Sequence, residues 1–67
     1  MNTKDIGAFI RKRRISLGID QITLSEISGI AVHTMSNIEA GKGNPTVATL
    51  DRVLDALGME FRIEIKE

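Results

Sequence analysis

The chain has no cysteine, so neither disulfides nor thiolate metal sites reinforce its fold. Its one histidine, His33, rules out a histidine-based metal site, and no metal or cofactor is expected. No apolar run approaches the ~20 residues needed to span a bilayer, and no signal peptide is evident. The expectation is therefore a cytoplasmic protein without membrane contact. Catalytic machinery is missing too. No nucleophile stands at a workable spacing from a base and an orienting acid, and His33 and Glu39 lie six residues apart on different helix faces. Gly41-Lys42-Gly43 is too short for a phosphate-cradling loop. No catalytic residue is assigned, and an enzyme is not expected.

Net charge is also lacking: nine basic residues balance nine acidic ones. The balance is uneven along the chain. Residues 1–19 carry Lys4, Arg11, Lys12, Arg13 and Arg14 against Asp5, a net of +4. Residues 20–40 carry Asp20, Glu26 and Glu39 with no Lys or Arg, a net of −3. Any attraction to phosphate has to come from the first segment and from Lys42. The run Arg11–Arg14 reads equally as a solvated helix face. A chain of 67 residues predicts one domain, 1–67, with one small core. Such a chain buries only roughly 60% of its unfolded surface and is marginal alone. A second copy that binds only the folded form is the expected supplement.

The organising stretch is Gln21–Ala40. Leu24 and Ile27 lie three apart, as do Met35 and Ile38, the spacing of one helix face. Gly29 sits between the pairs, where a turn needs positive φ. The pattern predicts helices over Gln21–Ser28 and Val32–Ala40, joined by a tight turn at Gly29–Ala31. That is a helix-turn-helix, whose second helix commonly enters the major groove of DNA. Asp20 is placed to cap the first of these helices, with Thr23 three residues on. Ala31 cannot cap the second, at a cost of about 1 kcal/mol, so packing of Met35 and Ile38 has to hold it.

Upstream, Thr3 is placed to cap a helix in which Ile6, Phe9, Ile10 and Leu17 recur at helical spacing, ended by Gly18. Downstream, Gly41, Lys42, Gly43, Asn44 and Pro45 form a loop. Thr46 then caps a helix over Val47–Leu57, with an apolar stripe of Val47, Leu50, Val53, Leu54 and Leu57, ended by Gly58. The period changes at the end. Met59, Phe61, Ile63 and Ile65 alternate with Glu60, Arg62, Glu64 and Lys66, which predicts a half-buried strand over 59–66. With no other strand in the sequence, it is expected to pair with the same segment of a second chain. A frayed tail is the alternative.

The combination of Gln21, Gly29, Ile38-Glu39, Gly41-Lys42 and Asn44-Pro45-Thr46 resembles the Cro/repressor type of helix-turn-helix, the XRE family. The resemblance runs from about Ile6 to Leu57. The ending LGMEFRIEIKE is similar to antitoxins of HipB type. The fold implied is mainly α: a λ-repressor-like helix-turn-helix domain of four to five helices, with a C-terminal β-strand pairing across a homodimer. The implied partners are double-stranded DNA bearing a palindromic operator, a second copy of the chain, and a HipA-like kinase toxin. By the same resemblance, Val32, His33, Ser36 and Asn37 face base edges. Gln21, Lys42, Asn44 and Thr46 meet DNA phosphate, and Gln21 also braces the recognition helix. Arg14 and Glu39 form an internal salt bridge, and Met59, Phe61, Ile63 and Ile65 serve dimerisation.

The side chains themselves suit these roles. Asparagine bonds adenine through two hydrogen bonds, a valine at the helix start meets a thymine methyl, and histidine and serine exchange single bonds. Arg14 has a second reading, as a phosphate contact with Glu39 a surface acid. Asp20, Ala31, Ala40 and Gly43 depart from the family pattern, and each removes a polar contact or adds negative charge. Two functions therefore stand in competition. One is a sequence-specific transcriptional repressor, of antitoxin type, that reads the major groove as a homodimer. The other is a protein-interaction module that keeps the fold with weak or no DNA binding.

Overall fold

The computed structural model describes residues 2–67. It contains four helices: α1 (Thr3–Ser16), α2 (Gln21–Ser28), α3 (Val32–Glu39) and α4 (Val47–Ala56). Helix α1 packs on α3, and α2 packs on both α3 and α4. Helices α2 and α3 have eight residues each. Isolated helices shorter than about 12–15 residues are marginal in water, so these two exist because their inner faces are buried. The core joins Ile10 of α1, Leu24 of α2, Ile30 of the turn, Met35 and Ile38 of α3, and Leu50, Val53, Leu54 and Leu57 at α4. Each such side chain contributes about 1.5–3 kcal/mol by leaving water.

Local chemistry sets the helix ends. Asp20 caps α2 by accepting from the Thr23 amide at 2.7 Å, and Thr46 caps α4 by accepting from the Thr49 amide at 3.1 Å. Helix α3 has no side-chain cap, because Ala31 stands at that position. Gly29 ends α2 at φ 71°, the left-handed conformation that lets the chain reverse into α3. Helix α1 begins one residue earlier than its sequence suggests. Asn2 is the cap, accepting from the Asp5 amide at 2.9 Å, which makes Thr3 the first helical residue. The Thr3 hydroxyl instead donates to the Gly41 carbonyl. Helices α3 and α4 close one residue short, with Ala40 and Leu57 as C-caps.

Four apolar expectations for the helices fail. Ile27 is 60% exposed. The inward face of α2 is instead Leu24 and Ser25 with Ser28 one turn on, small residues beside the one large one. The buried hydroxyls stay satisfied, since Ser28 donates to the Leu24 carbonyl and Ser25 to the Ile30 carbonyl. Val47, Phe9 and Leu17 are likewise exposed, leaving the stripes on α4 and α1 narrower than their spacing indicates.

The strand over 59–66 does not form in the single chain. Among the described residues there is no strand, and the last backbone hydrogen bond runs from the Met59 amide to the Leu54 carbonyl. Met59 packs against the core, Phe61 is 38% exposed, and Ile63 and Ile65 are fully exposed. The physical reason is that alternation supplies a face but not a partner. Within one chain no second extended segment takes these hydrogen bonds.

Candidate nucleic-acid interface

Helix α3 is anchored inward by Met35 and Ile38, which retain 0% and 3% of their exposure. That anchoring turns Val32, His33 and Ser36 outward, with Asn37 half-buried beside them. His33 and Asn37 are one turn apart, and the Asn37 amide nitrogen lies 3.4 Å from His33 Nε2. The outer strip is thus apolar at its start and polar along its length. It offers a methyl contact, a ring nitrogen, a hydroxyl and an amide.

The loop after α3 closes the helix and presents a second set of groups. The Lys42 amide donates to the Asn37 carbonyl at 2.8 Å, and the Gly41 amide to the Ile38 carbonyl at 3.1 Å. Lys42 and Asn44 are exposed and share a shallow cleft with Thr34, Asn37 and Pro45. Thr46 serves the fold, since its hydroxyl oxygen holds the α4 cap and also donates to Thr49 Oγ1 at 3.0 Å.

Arg14 and Glu39 tie α1 to α3. Arg14 Nε donates to Glu39 Oε2 at 2.7 Å and Nη2 to Oε1 at 2.9 Å, while Nη1 donates to the Ile19 carbonyl at 2.9 Å. The Glu39 side chain is only 3% exposed and that of Arg14 12%. The hydrogen bond to Glu39 raises the Arg14 pKa above its ordinary value. Gln21 joins the pair, its amide donating to Glu39 Oε1 at 3.2 Å. Glu39 therefore sits on the recognition helix without presenting its charge outward. The acidic balance of residues 20–40 overstates the negative charge that a ligand meets at α3.

Sequence reasoning left one contributor within an undivided basic run and missed another. Arg11, three residues before Arg14, is exposed and lines one cleft with Gln21, Ser36 and Ala40. The i, i+3 spacing within the basic run is the signal that places it on the α3 side of α1. Gly7 is buried, and a Cβ there would collide with the carbonyl oxygens of Ile38 and Glu39. It lets the backbone of α1 approach the end of α3, and an isolated glycine inside a helical pattern was its only mark. Among the described residues no cluster of His, Cys, Asp or Glu could hold a metal ion, and no helix is long and apolar enough to cross a membrane.

The helix-turn-helix family model matches residues 10–63. The chain belongs to the helix-turn-helix family, in its Cro/repressor (XRE) type. Family membership makes it a DNA-binding transcription regulator in broad class. Among solved structures, the chain is similar to the restriction-modification controller protein C.AhdI from Aeromonas hydrophila. The two are 26% identical, with a TM-score of 0.81 over 87% of this chain and 88% of that one. No curated protein sequence matches the chain.

Proposed function

We propose that this helix-turn-helix protein is a sequence-specific repressor that reads its operator in the major groove as a homodimer. The observation that carries the reading is the outward strip Val32–His33–Ser36–Asn37 on a helix locked from behind by Met35, Ile38 and the Arg14–Glu39 pair. Two copies would place their α3 helices in half-sites about one helical turn (~34–36 Å) apart. Asn37 is the main base reader, with His33, Ser36 and Val32 beside it. Lys42, Asn44 and the exposed edge of Gln21 supply the phosphate contacts, together with Arg11.

Competition binding to the DNA upstream of its own gene tests this. Asn37→Ala is expected to lose about 1–3 kcal/mol of discrimination between operator and mismatched sites. Lys42→Ala is expected to weaken all sequences alike and to reduce the salt slope by about one. Equal losses with unchanged selectivity would overturn this division of labour, and no binding at low salt would overturn the DNA reading itself.

For the regulated genes we propose autoregulation, in one of two settings. The LGMEFRIEIKE ending favours an antitoxin that also binds a HipA-like kinase toxin, in which case the interaction role accompanies DNA binding. The likeness to a restriction-modification controller favours control of restriction and modification genes. The coding sequences beside this gene discriminate the two: a kinase for the first, a methyltransferase and endonuclease for the second.

A further inference from the structure

We propose that His33 is the positioning residue that makes Asn37 selective for adenine: it holds the Asn37 side-chain amide and so fixes which edge of that amide faces the groove. The proposal rests on the major-groove reading above. The Asn37 amide nitrogen lies 3.4 Å from His33 Nε2. An amide nitrogen donates and does not accept, so the contact assigns the protons. Nε2 is the bare acceptor, and the neutral imidazole carries its proton on Nδ1. Among the described residues, neither side chain has another hydrogen-bond partner. The Asn37 side-chain oxygen is therefore left open.

An asparagine amide can turn over about its last bond with almost no change of shape, exchanging oxygen and nitrogen. The two orientations read different bases. Adenine presents N7, an acceptor, beside its N6 amino donor. A matching amide offers an N–H to N7 and its oxygen to N6. The reversed amide sets donor against donor and acceptor against acceptor. The bond to His33 settles the choice by keeping the nitrogen on the side facing the start of α3. It does so without using the reading edge. The N–H beside the oxygen shares an edge with it, and that edge pairs with adenine. The other N–H points to the side and is free to bond His33 at no cost to the base contact.

The frame behind this amide is firm. The Asn37 backbone carbonyl accepts from the Lys42 amide at 2.8 Å, and the next residue, Ile38, is buried. What the backbone leaves open is the turn of the amide itself, and His33 is the one side chain bonded to it among the described residues. A contact that only steadied the helix would change stability and leave base preference alone. A positioning role changes the preference at the base that Asn37 reads and at no other.

The test is selection from a library of duplexes with a randomised central segment, sequenced after binding to the full chain. Nitrogen NMR of the free protein, with its imidazole neutral, reports the tautomer without DNA. The wild-type chain is expected to enrich adenine at one position of each half-site, and Asn37→Ala to lose that preference, which marks the position. His33→Leu, at an exposed site, removes the acceptor and is expected to weaken the adenine preference there roughly fivefold, the effect of one hydrogen bond on the amide's orientation. His33→Gln, whose side-chain oxygen can accept from an asparagine one turn on, is expected to keep it. Adding His33→Leu to Asn37→Ala is expected to change nothing further at that position, because His33 acts through Asn37. In the free protein Nε2 is expected to be bare and Nδ1 protonated. An undiminished preference in His33→Leu, an equal loss in His33→Gln, a base other than adenine at the marked position, or a proton on Nε2 would overturn the proposal while leaving the DNA reading intact. A wild-type chain that enriches no sequence would refute the function proposed above and this role with it.

Discussion

Replacing Glu39 with glutamine keeps the side chain's shape and removes its charge, leaving the Arg14 guanidinium facing a neutral amide. Two short charge-assisted bonds are lost or weakened, at 2.7 and 2.9 Å, along with the acceptor that Gln21 uses at 3.2 Å. Removing one partner of a buried ion pair costs roughly 3–5 kcal/mol, because the other charge is left uncompensated. Arg14 keeps a little solvent and its bond to the Ile19 carbonyl, which sets the expected loss at the lower end, about 3 kcal/mol. A domain of this length has a total stability of about 3–10 kcal/mol, so the loss is a large share of it. The expected outcome in urea unfolding, followed by helical circular dichroism, is a midpoint lowered by about 2–3 M, at a slope near 1 kcal/mol per molar. Arg14→Met with Glu39→Leu is expected to recover most of the stability, since apolar side chains often replace a buried pair at little cost. A loss below about 1 kcal/mol for Glu39→Gln, or a double variant no better than the single, would refute the argument that the pair is held as a buried unit.

Two further outcomes follow from particular contacts. Gly7→Ala is expected to destabilise the fold by about 2 kcal/mol despite alanine's better helix propensity, because its methyl group forces α1 away from the last carbonyls of α3; a higher thermal midpoint would contradict this. The Asp20 carboxyl is held below the usual carboxylate range by the hydrogen bond from the Thr23 amide. A depressed folded-state value adds stability above the unfolded pKa, near 4, that is lost as pH falls through the folded one. Asp20→Asn, which keeps a capping oxygen, is expected to flatten that acid limb in urea titrations below about pH 4 and to change little at pH 7; an unchanged limb would exclude Asp20 as its source.

Much of the local structure was legible because its causes are local. Gly18, Gly29, Gly41 and Gly58 each adopt φ near 71° at or just past a helix end. Asp20 and Thr46 cap where they stand in sequence. Helix α2 begins and ends at the residues its pattern indicates. The inward faces were less legible. A three-residue spacing says that Leu24 and Ile27 are neighbours on a helix, but it cannot say on which side of Leu24 the next helix packs. In this fold the neighbours lie on the Ser28 side, and Ile27 is left outside. The C-terminal alternation was clear in sequence, yet alternation fixes only which side chains share a face.

The sequence by itself determined where the chain bends, which residues start α2, α3 and α4, and that α3 carries small and polar side chains between Met35 and Ile38. Those properties depend on neighbours within a turn or two. Only the tertiary structure decided that Glu39 is buried and neutralised by a residue 25 positions away. It alone decided that Gly7 lies directly against the last carbonyls of α3, and that Ile63 and Ile65 find no cover within their own chain. Burial and charge compensation arise from surfaces brought together across the fold, and the distances that set them are not a property of any one segment.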